Sequence, residues 1–317
     1  MRIDSLTYFS SGLSGMRESQ SGIARLTRQL ASDRRVLQPK DDALAMQRIL
    51  DLSSRIATRS QFAANQERAD LALKYADTVL NELGKTLEEA RKLMAGLSPG
   101  HDAGLRNNVG QQLAGLTRHL LALANTRNPS GDYIFGGHAT TAAPYANALT
   151  GAATATTYSG TPASPGNTAP DGQTGPGGSR WLEVEAGRYV RVNDNLDTVF
   201  QSGTANDLLQ QLDDAAARIP GTALTQTDID NWNALIGTAI GRLDGMRHRI
   251  AAASVEVSDV RATTRALLSQ EQDALGETQK VDQAAAVVEL QLRQTVLEAA
   301  GEAYARIAGL SLFSSLG

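Results

Sequence analysis

Residues 228–260 read DIDNWNALIGTAIGRLDGMRHRIAAASVEVSDV, and an apolar or small residue returns at alternating steps of three and four. The row is Ile229, Trp232, Ile236, Ala239, Leu243, Met246, Ile250, Ala253, Val257 and Val260. It continues with weaker members through Thr264, Leu267, Glu271 and Ala274. Such a heptad seam keeps one face of a gently supercoiled helix against partner helices. From Val281 the spacing becomes 4-3-4 and repeats: Val281, Ala285, Val288; Leu292, Val296, Ala299; Ala303, Ile307, Leu310. An eleven-residue repeat lies close to the period of a straight helix. No proline interrupts residues 228–310, and as one helix they would run roughly 120 Å at about 1.5 Å per residue. The expected fold is therefore mainly α, a long antiparallel helical rod or coiled-coil bundle formed by N- and C-terminal arms.

The partner helices lie upstream. Residues 5–34 carry the row Leu6, Phe9, Leu13, Met16, Gln20, Ile23, Thr27, Leu30. Polar members and the glycines at 12, 15 and 22 make this helix marginal alone, so it requires a partner, and the C-terminal repeat is the obvious one. Pro39 then disfavours helix, and an aspartate of the pair Asp41-Asp42 is placed to cap the next one. A second helix is expected over about 42–95, with Ala69, Leu73, Ala76, Leu80, Leu83, Leu87, Ala90 and Met94 in heptad register. It stops at Gly96-Leu97-Ser98-Pro99-Gly100, and a third helix follows over about 102–127. The short connection makes these two antiparallel neighbours.

Character changes after Gly131. Five of the nine prolines fall between Gly131 and Gly187. Strand-like fragments occur at 133–135, 154–158, 181–185 and 188–193, the last two flanking Ala186-Gly187 as a hairpin. The stretch 161–179 reads as a mobile loop, and residues 206–219 as a short helix. The expected organisation is an N-terminal terminal helix (1–40), N-terminal rod helices (41–136), a β-rich outward insertion (137–203), C-terminal rod helices (204–279) and a C-terminal terminal helix (280–317).

Composition narrows the function. Aromatic residues make up 4% and the formal charge is −4 with both signs interspersed, so neither nucleic acid nor an anionic membrane is favoured as a partner. No cysteine is present, which excludes disulfides and thiolate metal sites. No apolar run approaches the roughly 20 residues of a membrane helix. The N-terminus lacks the apolar core of a secretory signal, so export would need another route.

Nothing in the sequence supports catalysis, a metal or a cofactor. The histidines at 101, 119, 138 and 248 have no zinc-binding spacing. The glycine-rich runs at 131–137 and 172–178 lack a phosphate-loop continuation. Gly12-Leu13-Ser14-Gly15 lies inside a helical pattern rather than a nucleophile elbow. Arg242, Arg247, His248 and Arg249 are interspersed with acids, as on a solvated face. Gly237, Gly241 and Gly245 would let a neighbouring backbone approach closely.

Five short motifs occur in order: Arg2-Ile3; Pro39-x-Asp41-Asp42; Gly131-Asp132-Tyr133-Ile134-Phe135-Gly136-Gly137; Gln294-Thr295-x-Leu297-Glu298-Ala299; and Leu310-Ser311-Leu312-Phe313. Together they resemble the flagellin superfamily and, within it, the hook-associated proteins of type 3 found at the hook–filament junction. The resemblance implies a structural adaptor in a homo-oligomeric layer, with the hook-side junction protein (hook-associated protein type 1) and flagellin as neighbours. It implies passage through the flagellar type III export machinery with its chaperone, without a cleaved signal, and an extracellular place in the flagellum. The terminal helices would form an inner tube, with Leu6, Phe9, Leu13, Met16, Ile23, Leu30, Val281, Val288, Leu292, Val296, Ile307 and Leu310 as assembly interface. The alternatives are a flagellin filament subunit, whose usual Leu-Leu-Arg-like tail is absent here, and a secreted binding or adhesin module displayed by the insertion.

Overall fold

In the computed structural model, the structure describes the backbone of residues 2–145, 158–163, 165–201, 204–205, 207–221 and 224–316, and the side chains among these within 10–306. The strand-like fragment at 154–157 lies outside the described residues. So do the side chains of Leu6, Phe9, Ile307 and Leu310. The protein is mainly α. Its elements are α1 (Arg2–Ser32), α2 (Ala43–Ala95), α3 (Ala103–Ala124), β1 (Asn167–Thr168), β2 (Thr174–Gly175), β3 (Trp181–Glu185), β4 (Arg188–Arg191), α4 (Asp197–Phe200), α5 (Leu208–Arg218), α6 (Gln226–Gln279) and α7 (Gln283–Leu316). Contacts divide the chain into two compact units, 60–265 and the paired segments 1–59 with 266–317.

In the larger unit α2 and α6 run antiparallel, because partner numbers fall as the other strand's numbers rise. Gln66 meets Thr264, Asp70 meets Arg261 and Asp77 meets Arg247. The heptad rows face each other across this pair. Leu73, Leu80, Leu83, Leu87 and Met94 of α2 and Ile229, Trp232, Ile236, Leu243, Met246, Ile250 and Val257 of α6 are all buried in one core. Each large apolar side chain buried this way contributes about 1.5–3 kcal/mol, before the entropy of ordering the chain. α3 starts where Asp102, as N-cap, accepts from the Leu105 N–H at 2.9 Å. It adds Leu113 and Leu120 to the same core, with α5 (Leu208, Leu212) beside it.

The hairpin forms where expected, with β3 and β4 antiparallel and Gly187 at φ +72° in the turn. Only glycine adopts that conformation without strain. One expectation about the insertion needs correcting. Residues 161–179 are not a bare loop: β1 pairs with β2, and the Asn167 side chain donates to the Ser179 carbonyl at 2.7 Å. The insertion also packs on the helices: Tyr145, Val184, Val190, Val199 and Phe200, with Phe135 just before it, belong to the core that α2, α3 and α6 build. Residues 133–135 form a single bridge, Tyr133 to Arg127, rather than a strand. The 237/241/245 glycine strip also departs from expectation, since nothing lies within 4 Å of where a Cβ would stand at any of the three. Arg249 is not simply solvated, because it bonds the buried carboxylate of Asp194.

In the smaller unit α1 and α7 are likewise antiparallel. Arg34 bridges Lys280, Gln283 donates to Asp33 at 3.0 Å, and Arg293 crosses Gly22. The long C-terminal helix of the sequence reading is two helices. The break falls at 280–282. Its cause is a cap: Asp282 accepts from the Ala285 N–H at 3.0 Å.

Candidate assembly surface

The loop between α1 and α2 is fixed by its two aspartates. Asp41 accepts from the N–H groups of Leu37 and Gln38 at 3.1 and 2.9 Å, and Asp42 caps α2 by accepting from Ala45 at 2.9 Å. The Ala45 N–H and the Arg35 guanidinium, 3.0 Å away, hold the Asp42 carboxyl below its usual range. Both aspartates are therefore occupied with backbone, as the capping reading requires. Val36, Ala45 and Ile49 form a small core beneath this loop, and Leu26, Val281 and Ala286 form another between α1 and α7.

α7 has two apolar rows, and only one meets α1. Ala286 is buried, and Leu290, Leu297, Ala300 and Tyr304 are half-buried on the α1 side. The second row is exposed: Val288 at 65%, Leu292 at 62% and Val296 at 51%. These three line a shallow open groove with Ala284, Ala285 and, from α1, Ser19. Glu289 and Arg293 pair beside it, with the guanidinium Nε and Nη2 donating to one carboxylate oxygen at 2.9 and 2.7 Å. Gly22 is what lets Arg293 lie flat, because a Cβ there would stand 2.6 Å from its Nη1.

The proposed interface residues therefore separate into groups. Val281 is buried against Leu26, and Leu30 packs partly buried on the same cluster. Met16 and Ile23 are half-buried and Leu13 is 39% exposed. Val288, Leu292 and Val296 form the contiguous open row among those described. Sequence reasoning missed Leu26 and Gly22, which face α7, while Gln20 and Thr27 of the expected row face outward. The α1 face toward α7 is turned by about one residue from that row: Gly22, Leu26 and Gln29 are buried, whereas Gln20 and Thr27 are exposed. Among the described residues no cluster of three or more His, Cys, Asp or Glu could hold a metal ion. Nor, among the described residues, is any helix long and apolar enough to cross a membrane.

Residues 3–140 match the family described as the bacterial flagellin N-terminal helical region. The chain is 25% identical over 340 aligned residues to flagellar hook-associated protein 3 of Escherichia coli, covering 99% of both chains. It is 30% identical over 153 residues to flagellar hook-associated protein 3 of Salmonella typhimurium, 48% of each chain. Two solved structures share the fold. One is a putative flagellar hook-associated protein from Vibrio parahaemolyticus, with TM-score 0.64, 16% identity, and coverage of 76% of this chain and all of that one. The other is flagellar hook-associated protein-3 from Legionella pneumophila, with TM-score 0.57, 14% identity, and coverage of 72% and 98%. The chain is therefore similar along its whole length to flagellar hook-associated protein 3, and over residues 3–140 to the flagellin N-terminal helical region.

Proposed function

We propose that the chain is the adaptor at the hook–filament junction, a homo-oligomeric layer between hook-associated protein type 1 on the hook side and flagellin on the other. It is no enzyme in this reading. It reaches the extracellular end of the hook through the flagellar type III export machinery, accompanied by a chaperone. α1 and α7 line the inner tube, the helices of 41–136 and 204–279 form the outer rod, and 137–203 faces outward. The observation that carries the proposal is the row Val288, Leu292 and Val296, more than half exposed on a helix whose other apolar row is already occupied. A soluble chain gains nothing from leaving three consecutive turns of apolar side chain in water. In a packed tube each would be covered.

The match at residues 3–140 to a flagellin helical region favours a second reading, a filament subunit. Electron microscopy of cells lacking the chain separates the two. An adaptor's loss leaves complete hooks without filaments and flagellin shed into the medium. A filament subunit's loss leaves hooks with their junction intact and little flagellin outside. Normal filaments on such cells would contradict both.

A further inference from the structure

The two terminal arms carry opposite charge. Residues 1–59 hold ten Lys and Arg against six Asp and Glu, whereas residues 266–317 hold three against seven. Folding the arms together does not consume this imbalance. Among the described residues a single ion pair, Arg59 with Glu271, crosses between them. The others in this unit are local: Arg35 with Asp42, Arg55 with Asp51, Arg293 with Glu289, Arg306 with Glu302. Arg25, Arg28 and Lys40 are exposed with no ion-pair partner among the described residues, and so is Glu298.

These charges are ordered about the open apolar row. Around α7, at about 100° per residue, Arg293 lies on one flank of Val288, Leu292 and Val296. On that flank α1 and the following loop supply Arg25, Arg28 and Lys40 to an open cleft of about 350 Å³, which also holds Glu18 and the backbone-bound Asp41. Glu302, paired with Arg306 at 3.8 Å, and then Glu298, unpaired among the described residues, lie on the opposite flank. The surface thus has a basic edge, an apolar middle and an acidic edge. Two copies side by side in the same direction, staggered by roughly 17 Å at about 1.5 Å per residue, set the basic edge of one against the acidic edge of the next. Two copies in opposite directions with the same face outward set like edges together, which is penalised.

We propose that the cleft edge formed by Arg25, Arg28 and Lys40 receives Glu298 and Glu302 of a neighbouring copy of this chain, and that this pairing holds neighbouring copies in one direction. The inference rests on the reading of the chain as an assembled layer. Exposed ion pairs contribute little affinity singly. Their effect is selection, rejecting the reversed neighbour while the apolar row supplies the adhesion.

Charge reversal tests it in cells lacking the parent chain. Full-length R25E/R28E, E298R/E302R and the fourfold combination are produced, and the chain on isolated hooks is counted by antibody labelling. Helix content, thermal unfolding and export of each variant are measured alongside. Each double reversal alone should lower the fraction of labelled hooks at least about tenfold. The fourfold variant, which restores opposite signs across the contact, should return it to near the parent level. The inference is overturned if either double reversal labels hooks as well as the parent. It is equally overturned if the fourfold variant, folded and exported, does no better than the doubles. If the parent chain itself is missing from hooks, the layer reading falls first and takes this one with it.

Discussion

Asp194 is the residue whose chemistry and surroundings are most at odds. It follows β4, its side chain is only 4% exposed, and it is held by Arg191 at 3.3 Å and by Arg249 from α6. Burial pushes its carboxyl up to about 7, with Arg191 pulling the other way. In the unfolded chain the same carboxyl titrates near about 4. The folded state therefore binds this proton more tightly, and ionising Asp194 costs stability in full above about pH 7. That cost is relieved as pH falls from about 7 toward about 4, below which the unfolded state is protonated too and nothing more is gained. Thermal unfolding of the parent and of Asp194→Asn should show it. The parent's Tm should rise relative to the variant's on moving from about pH 8 to about pH 5, whereas a constant difference would contradict the assignment. The sequence marked Arg249 as one of an ordinary solvated set, because no local pattern tells an arginine that a carboxylate 55 residues upstream folds beneath it. Asp42 was legible for the opposite reason: its acceptor role is spent on an N–H three residues away.

At the scale of elements, the same contrast between local and distant causes decides what could be read. The α6 seam appears in the structure almost member for member, down to Thr264, which accepts from the Gln66 amide at 2.9 Å inside the core. Helix and hairpin signals act over a few residues, so periodicity and turn chemistry expose them. The insertion's attachment acts at long range. Asn65 and Gln66 of α2 donate to the carbonyls of Glu183 and Val184, both at 2.8 Å, across 118 residues of chain. Asn125 at the end of α3 exchanges two hydrogen bonds with the Tyr145 backbone, at 2.9 and 3.0 Å. Replacing 138–193 by a short Gly/Ser linker would remove Val184 and Val190 from the core and leave the Gln66 amide with Thr264 as acceptor but without the Val184 carbonyl. Each buried polar group stranded this way costs about 1–3 kcal/mol, and each lost apolar side chain a similar amount. The excised chain should keep its helical signal but unfold at lower temperature and with lower cooperativity, as circular dichroism would register. An unchanged transition would show that the helices stand without the insertion.

At the scale of the whole molecule, the candidate surface was half legible. α7 is apolar on two sides, and its sequence presents both rows without saying which one α1 takes. The row Val288, Leu292, Val296 was visible from its spacing. That Ala286, Leu290 and Leu297 serve the intramolecular contact instead is set by how α1 and α7 pair, which brings Gly22 beside Arg293, 271 residues away in sequence. What remains after that contact is a chain folded in both compact units with one apolar row to spare, and the central claim is that neighbouring copies cover it. Leu292→Asp addresses the claim directly. In the separate chain Leu292 is already 62% exposed, so its replacement should shift the unfolding temperature very little. In a packed layer every copy would lose about 1.5–3 kcal/mol of apolar burial and bury a charge without a partner. Gln294→Ala, exposed on the face away from the row, serves as control. The measurement is the fraction of cells bearing filaments when each variant is the only copy of the chain. The account predicts that Leu292→Asp is made, folded and exported yet leaves hooks bare, while Gln294→Ala carries filaments. Normal filaments on Leu292→Asp cells would contradict it.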